Sequence, residues 1–196
     1  MDYYEKGEER FGFISSRLYS FGSSRSLQKF YYFIAKDIEK EKPKRILDIG
    51  AGPGDLAMQF NKIKTAKVCC IDPSISMQRM AKNKFARNKI KNIEYKLGSS
   101  RYIPFKEKFD LITTTISFHH WEEKESSMRY ILKKLSKNGK FIIYEFCYDR
   151  LSGIQRIAMG KHSLSIKQAK KYGFEGYKKE IRIINKIIKV SFTKES

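Results

Sequence analysis

At 196 residues the chain can build one domain with a sizeable core and is too short for two of ordinary size. A hydrophobic share of 41% beside 32% charged residues fits a globular fold in water, and no apolar run is long enough to span a bilayer. The formal net charge of +20 is the outlier, and it fits either a polyanionic partner such as RNA or a lysine-rich solvated surface. The basic residues are dispersed, with Lys82, Lys84, Arg87, Lys89 and Lys91 in one region and Lys167, Lys170, Lys171, Lys178 and Lys179 in another. That spread favours the solvated surface. Met1-Asp2-Tyr3-Tyr4-Glu5 has neither the basic start nor the apolar block of a secretion signal. Cys69, Cys70 and Cys147 read as buried strand residues and not as a disulfide or metal set, so a reducing cytoplasm is expected.

Residues 1–43 form a distinct cap segment, rich in aromatics: Tyr3, Tyr4, Phe11, Phe13, Tyr19 and Phe21, then a helical stretch carrying Leu27, Phe30, Tyr31, Phe33, Ile34 and Ile38. Pro43 separates it from residues 44–196, where strand-length apolar runs alternate with amphipathic stretches, the pattern of a parallel sheet covered by helices. The first strand is Arg45 to Ile49, and a helix follows from Asp55 to about Lys62. Lys67 to Ile71 is the second strand, ended by Asp72, and Ser74 or Ser76 caps a helix running to about Asn88. Asn92 to Leu97 and Phe109 to Thr114 read as the third and fourth strands. A helix from about Lys124 to Leu135 comes next, and Asn138-Gly139 turns the chain into a fifth strand, Lys140 to Glu145. Ser165 to Tyr172 is a helix stopped by Gly173, and Lys178–Ile184 with Ile187–Phe192 reads as an antiparallel hairpin across Asn185-Lys186.

The strongest local signal is Asp48-Ile49-Gly50-Ala51-Gly52-Pro53-Gly54. Glycines between a buried strand and a helix let a ligand approach the backbone and expose amide donors. The spacing is Gly-x-Gly-x-Gly, which departs from the Gly-x-Gly-x-x-Gly of dinucleotide enzymes. That departure and the terminal hairpin weigh against a nicotinamide oxidoreductase.

This motif resembles the first motif of the class I S-adenosylmethionine-dependent methyltransferases, especially the UbiE-like and methyltransferase-11-like group. The resemblance runs in order from about Arg45 to Phe146. It implies a Rossmann-like three-layer α/β sandwich with a seven-stranded, mostly parallel sheet and an antiparallel C-terminal hairpin. It also implies S-adenosyl-L-methionine as cofactor. Gly50, Ala51, Gly52 and Gly54 would pack against the methionine part, and Asp48 would help hold its amino group. Asp72 would accept both ribose hydroxyls, a task that suits the two oxygens of a carboxylate. It lies about twenty residues past the glycine loop, the separation such an acid needs. Pro73, which opens the run after that acid, would belong to the cofactor site, with Ile75 and Met77 near the adenine. Gly98-Ser99-Ser100 matches a stretch that normally reads Gly-Asp-Ala, so Ser99 stands where an aspartate would accept the adenine amino group. Ser117-Phe118-His119-His120-Trp121 resembles the segment after the fourth strand, with Thr115, Ile116 and His119 lining the cavity beside the transferable methyl.

His119 is the candidate general base for an acceptor that must lose a proton; packing at the start of the next helix is the alternative for His119, His120 and Trp121. No metal site is expected, because two adjacent histidines point apart on a helix and neither they nor His162 has a supporting Cys or carboxylate spacing. The expected acceptor is a small molecule. RNA or protein methylation through the basic surface, and a non-catalytic cofactor-binding relative, stand as alternatives. Thr114-Thr115-Ile116-Ser117 does not resemble the Asn-Pro-Pro-Tyr motif of amino-methylases of nucleic acids. The aromatic start and the Cys147 to His162 link are the two candidate covers for the acceptor site.

Overall fold

The computed structural model describes residues 25–64 and 66–195. Its helices are α1 (Arg25–Glu39), α2 (Asp55–Phe60), α3 (Ile75–Arg87), α4 (Lys124–Leu132), α5 (Gly153–Met159) and α6 (Ile166–Lys171). The strands are β1 (Arg45–Ile49), β2 (Lys67–Asp72), β3 (Ile93–Leu97), β4 (Phe109–Thr115), β5 (Leu135–Cys147), β6 (Ser163–Leu164), β7 (Tyr177–Ile184) and β8 (Ile187–Lys194). They form one sheet in the order β3-β2-β1-β4-β5-β8-β7, with the two-residue β6 added beside β5. Every pairing is parallel except β5 with β8 and β8 with β7.

Both faces of this sheet are covered, which is why its central strands are apolar throughout and do not alternate. On one face Ile46, Val68, Cys70, Leu111 and Ile142 pack with Ile34 and Ile38 of α1, Leu56 and Phe60 of α2, and Phe85 of α3. On the other, Leu47, Cys69, Ile112, Phe141 and Ile143 pack with Met128, Ile131 and Leu132 of α4 and Ala169 of α6. The result is the expected three-layer sandwich, in which one strand residue serves one core and its neighbour the other.

Helix α1 packs on the sheet. Ile34 and Ile38 are fully buried, and Tyr144 Oη donates to Asp37 Oδ2 at 2.7 Å. Lys189 of β8 pairs with the same carboxylate oxygen. Burial pushes the Asp37 carboxyl up, but the hydrogen bonds from Lys189 and Tyr144 outweigh it and hold it below the usual carboxylate value. The aromatics before Arg25, expected to form part of a lid, lie outside the described residues.

Two local expectations give way. Helix α4 stops at Leu132, and Asn138-Gly139 does not begin a new strand; β5 already starts at Leu135, which pairs with Phe109. The dipeptide instead sits at a register shift, where Phe109 meets Leu135 but Leu111 meets Lys140. Gly139 fits there because an added Cβ would lie 2.9 Å from the Phe109 carbonyl oxygen. The terminal hairpin turns at Asn185, whose φ of 55° is a conformation asparagine tolerates. No helix among the described residues is long and apolar enough to cross a membrane.

Candidate active site

The C-terminal ends of β1, β2, β4 and β5 lie side by side, and the residues following them form the site. After β1 the backbone folds over β2: the Gly50 and Ala51 N–H groups both donate to the Ile71 carbonyl, at 2.9 and 3.1 Å. Gly52 N–H then donates to Asp72 Oδ2 at 3.0 Å, and Ser74 N–H to Asp72 Oδ1 at 2.9 Å. Tyr95 Oη of β3 donates to the Gly52 carbonyl at 2.6 Å. The glycine loop and the acid of β2 are thus one hydrogen-bonded unit, tied down before any ligand arrives.

Gly50 has a φ of 74°, and a Cβ placed on it would lie 2.0 Å from Ser117 Oγ, so no side chain fits. Gly52 is the opposite case. At φ 53° its missing Cβ points to open space, with nothing within 4 Å. The loop is closed toward β4 and open on the side where a ligand can lie against bare backbone.

Asp48 lies beneath this loop, 1% exposed, and its Oδ2 has no hydrogen-bond partner. Burial, and then the negative charge of Asp72, push its carboxyl up to about 7. A buried carboxyl with one oxygen unsatisfied, beside a second carboxylate, either keeps its proton or gains from a cationic partner.

Strand β4 ends at Thr115, whose buried hydroxyl also lacks a hydrogen-bond partner. Ile116 follows at a φ of 49°. A β-branched residue in that region costs about 1–3 kcal/mol. The strain is held by Ile116 N–H donating to the Tyr144 carbonyl at 2.8 Å. It turns the chain so that Ser117 falls back against Gly50.

The 3₁₀ turn Phe118–His120 comes next. Phe118 and Trp121 belong to the core; their rings lie 5.1 Å apart edge to face, and Trp121 stacks on Phe141. His119 points the other way. Its Nδ1 lies 3.1 Å from both Oε1 and Oε2 of Glu145, a fully buried residue of β5, and its backbone N–H donates to Oε1 at 3.2 Å. His119 Nε2 is buried and has no hydrogen-bond partner. Glu145 escaped the sequence reading, though its signal was there: a lone carboxylate in the apolar run Phe141 to Phe146 needs a partner if buried.

The expected divergence of the adjacent histidines does not occur. In the tight 3₁₀ turn the His119 and His120 rings lie 3.9 Å apart, and His162, arriving from beyond β5, stands 4.9 and 5.7 Å from them.

The remaining candidates sit at the far side of the loop. Pro73 follows Asp72, and Met77 is buried on α3, whose N-terminus Ser74 caps by accepting from Met77 N–H at 3.3 Å. Gly98 N–H reaches the Asp72 carbonyl at 3.2 Å, placing the next two residues beside β2. Both are already engaged in the fold. Ser99 Oγ accepts from Arg101 N–H at 3.2 Å, and Ser100 Oγ lies 3.2 Å from Ser127 Oγ of α4. Gly54 is the left-handed N-cap of α2.

These features define a doubly covered, mostly parallel sheet whose ligand loop sits on strand ends with acids beneath it. Residues 46–139 match the model of a methyltransferase domain family. An uncharacterized methyltransferase of Staphylococcus carnosus is 36% identical over 107 residues, covering 54% of this chain and 48% of that protein. The ubiquinone/menaquinone biosynthesis C-methyltransferase UbiE of Salmonella arizonae is 28% identical over 137 residues, covering 68% and 53%. The chain spans about half the length of the curated relatives it matches. Among solved structures, one of Methanococcus maripaludis, assigned to the S-adenosyl-L-methionine-dependent methyltransferases, superposes with a TM-score of 0.80 at 19% identity, covering 96% of this chain and 95% of that one. The plantazolicin methyltransferase BpumL, solved with SAH, gives 0.76 at 14% identity, covering 95% and 92%. Over residues 46–139 the chain is thus similar to methyltransferase domains, and it shares its Rossmann-like fold with these solved structures.

Proposed function

We propose that this domain binds S-adenosyl-L-methionine across the strand ends and transfers its methyl group to a small-molecule acceptor. The observation that carries the reading is Asp48: a buried carboxylate oxygen with no partner, beneath a loop with open space above Gly52. The cofactor's ammonium group supplies the donor that this oxygen lacks. Gly50, Ala51, Gly52 and Gly54 supply the loop it lies on, with the open backbone at Gly52. Asp72 keeps carboxylate lone pairs for two ribose hydroxyls while it holds the Gly52 and Ser74 amides. Pro73, Met77, Ser99, Ser100 and Thr115 complete the wall. With Ser99 Oγ already accepting from Arg101, the adenine amino group gains less here than from an aspartate. UbiE-type relatives and the plantazolicin methyltransferase support a small acceptor by what their names say of them.

When bound, the cofactor supplies an electrophilic methyl carbon on a sulfonium, and the protein's share is alignment and exclusion of water. His119 faces the acceptor. Glu145 accepts the proton of Nδ1, fixes the tautomer and leaves the Nε2 lone pair to take a proton from the acceptor as it attacks. Glu145 is a positioning residue; His119 is the base.

Calorimetric titration with S-adenosylhomocysteine tests the reading, with NAD as control. Micromolar binding of the first and none of the second supports it. Absence of S-adenosylhomocysteine binding refutes it. A screen with methyl-labelled cofactor then follows for acceptors, in which His119→Ala should lower kcat with little change in the affinity for S-adenosylhomocysteine.

A further inference from the structure

We propose that His119, His120 and His162 form a binding site for one divalent transition-metal ion of the Zn²⁺ or Co²⁺ kind. Each histidine offers one ring nitrogen, and the three atoms lie within 4.8 Å of one another. Tetrahedral coordination at about 2.0–2.1 Å per bond sets ligand nitrogens about 3.3 Å apart. Small rotations of the His120 and His162 rings cover that difference while Glu145 holds the His119 ring. Two elements deliver the ligands: the 3₁₀ turn after β4 carries His119 and His120, and the 3₁₀ turn Gly160–His162 carries the third. The second turn is held in place by Ser163, whose Oγ donates to the Gly160 carbonyl at 2.7 Å and whose backbone pairs with Phe146 of β5.

The best-prepared ligand is His119. Glu145 engages Nδ1 through both oxygens at 3.1 Å, so Nε2 carries the lone pair, and that nitrogen is buried without a hydrogen-bond partner. Metal-ligating histidines are generally held this way, by a carboxylate on the opposite ring nitrogen, which fixes the ring and makes it more basic. A ligand set made only of imidazoles suits zinc, cobalt, nickel and copper, and discriminates against magnesium and calcium. Three protein ligands leave one position open for water or for an acceptor oxygen. The site lies on the same strand ends as the glycine loop and begins two residues beyond the Ser117 that packs on Gly50. In the ion-loaded protein the Nε2 lone pair is a metal bond, so His119 acts as a base only in the ion-free protein. The metal site stands or falls independently of methyl transfer.

The test is calorimetry on the full chain without a histidine tag, using ZnCl₂ and, separately, MgCl₂, with visible absorption of the Co²⁺ form as a second readout. The expected result is one Zn²⁺ per chain with submicromolar Kd, no Mg²⁺ binding, and a tetrahedral-type Co²⁺ spectrum. His162→Ala should weaken Zn²⁺ binding at least 100-fold while leaving the affinity for S-adenosylhomocysteine and the melting curve unchanged, which shows that the variant folds. Glu145→Gln should weaken Zn²⁺ by about 10–100-fold. Failure of the untagged wild type to take up Zn²⁺, or uptake equally tight in His162→Ala and His120→Ala, overturns the proposal. Loss of S-adenosylhomocysteine binding in the wild type would instead strike the proposed function and leave the metal site untouched.

Discussion

Replacing Asp48 by Asn tests the electrostatic logic of the site directly. In the folded chain this carboxyl is pushed up to about 7, first by burial and then by Asp72. An unfolded aspartate titrates near 3.9, so the shift is roughly three pK units, or about 4 kcal/mol at 1.36 kcal/mol per unit. The folded state keeps a proton that the unfolded state releases between about pH 4 and pH 7. Stability is therefore lost as pH rises through that window, and the full loss is present above it. Asn has the same shape and nothing to ionise. Without cofactor, Asp48→Asn should unfold later in urea than the wild type at pH 8. Its advantage should shrink by about 2 kcal/mol at pH 5, where the wild-type carboxyl is neutral in the fold. With S-adenosylhomocysteine the ordering reverses, since the ammonium group then meets an amide: affinity should fall at least tenfold. Binding to the wild type near pH 6.5 should also release protons, read as a dependence of the calorimetric heat on buffer. An Asn advantage that does not grow with pH, or a variant that binds as tightly as the wild type, would refute the assignment of Asp48 as the cation-seeking group.

Three further outcomes follow from the same geometry. Asp72→Ala should weaken S-adenosylhomocysteine at least tenfold by removing two ribose hydrogen bonds and the anchor of Gly52 N–H; unchanged affinity by calorimetry would sink the ribose role. Gly50→Ala should cost about 2 kcal/mol or more in urea unfolding, because the new Cβ lands 2.0 Å from Ser117 Oγ, and adding Ser117→Gly should recover part of the loss. Tyr144→Phe should cost about 1–2 kcal/mol by removing a donor from Asp37, with affinity for S-adenosylhomocysteine within twofold of wild type, since the bond it loses fastens α1 and not the ligand loop.

The sheet was legible because parallel strands buried on both faces are short apolar runs, of which Lys67 to Ile71 is one. The same holds for the glycine loop, whose residue type is dictated by close approach at Gly50. Legibility failed where a decision belongs to a partner distant in sequence. Nothing near Asn138-Gly139 shows that Leu135 already pairs with Phe109, so a turn signal was read as a strand boundary. Two-residue β6 carries no periodicity at all; its strand character comes from lying beside Phe146 and Cys147. The pairing of Glu145 with His119 spans 26 residues and needs the β4–β5 register to exist. Likewise the three histidines converge only because a 3₁₀ turn replaces the α-helical geometry in which neighbours diverge.

The chain, at a formal net charge of +20, still buries acids at its strand ends. Its buried acids among the described residues are Asp48, Asp72 and Glu145, on β1, β2 and β5, and all of them contribute to the strand-end site. Surface lysines act through water and are screened within about a Debye length, roughly 8 Å in physiological salt. A buried carboxylate acts through protein at much lower effective dielectric, and so governs its own surroundings. The positive exterior and the acidic strand ends are thus separable: the first sets what the domain meets in solution, and the second sets which group is accepted at its centre. An ammonium, a sulfonium and a divalent cation share the one property, positive charge, that would suit these buried acids.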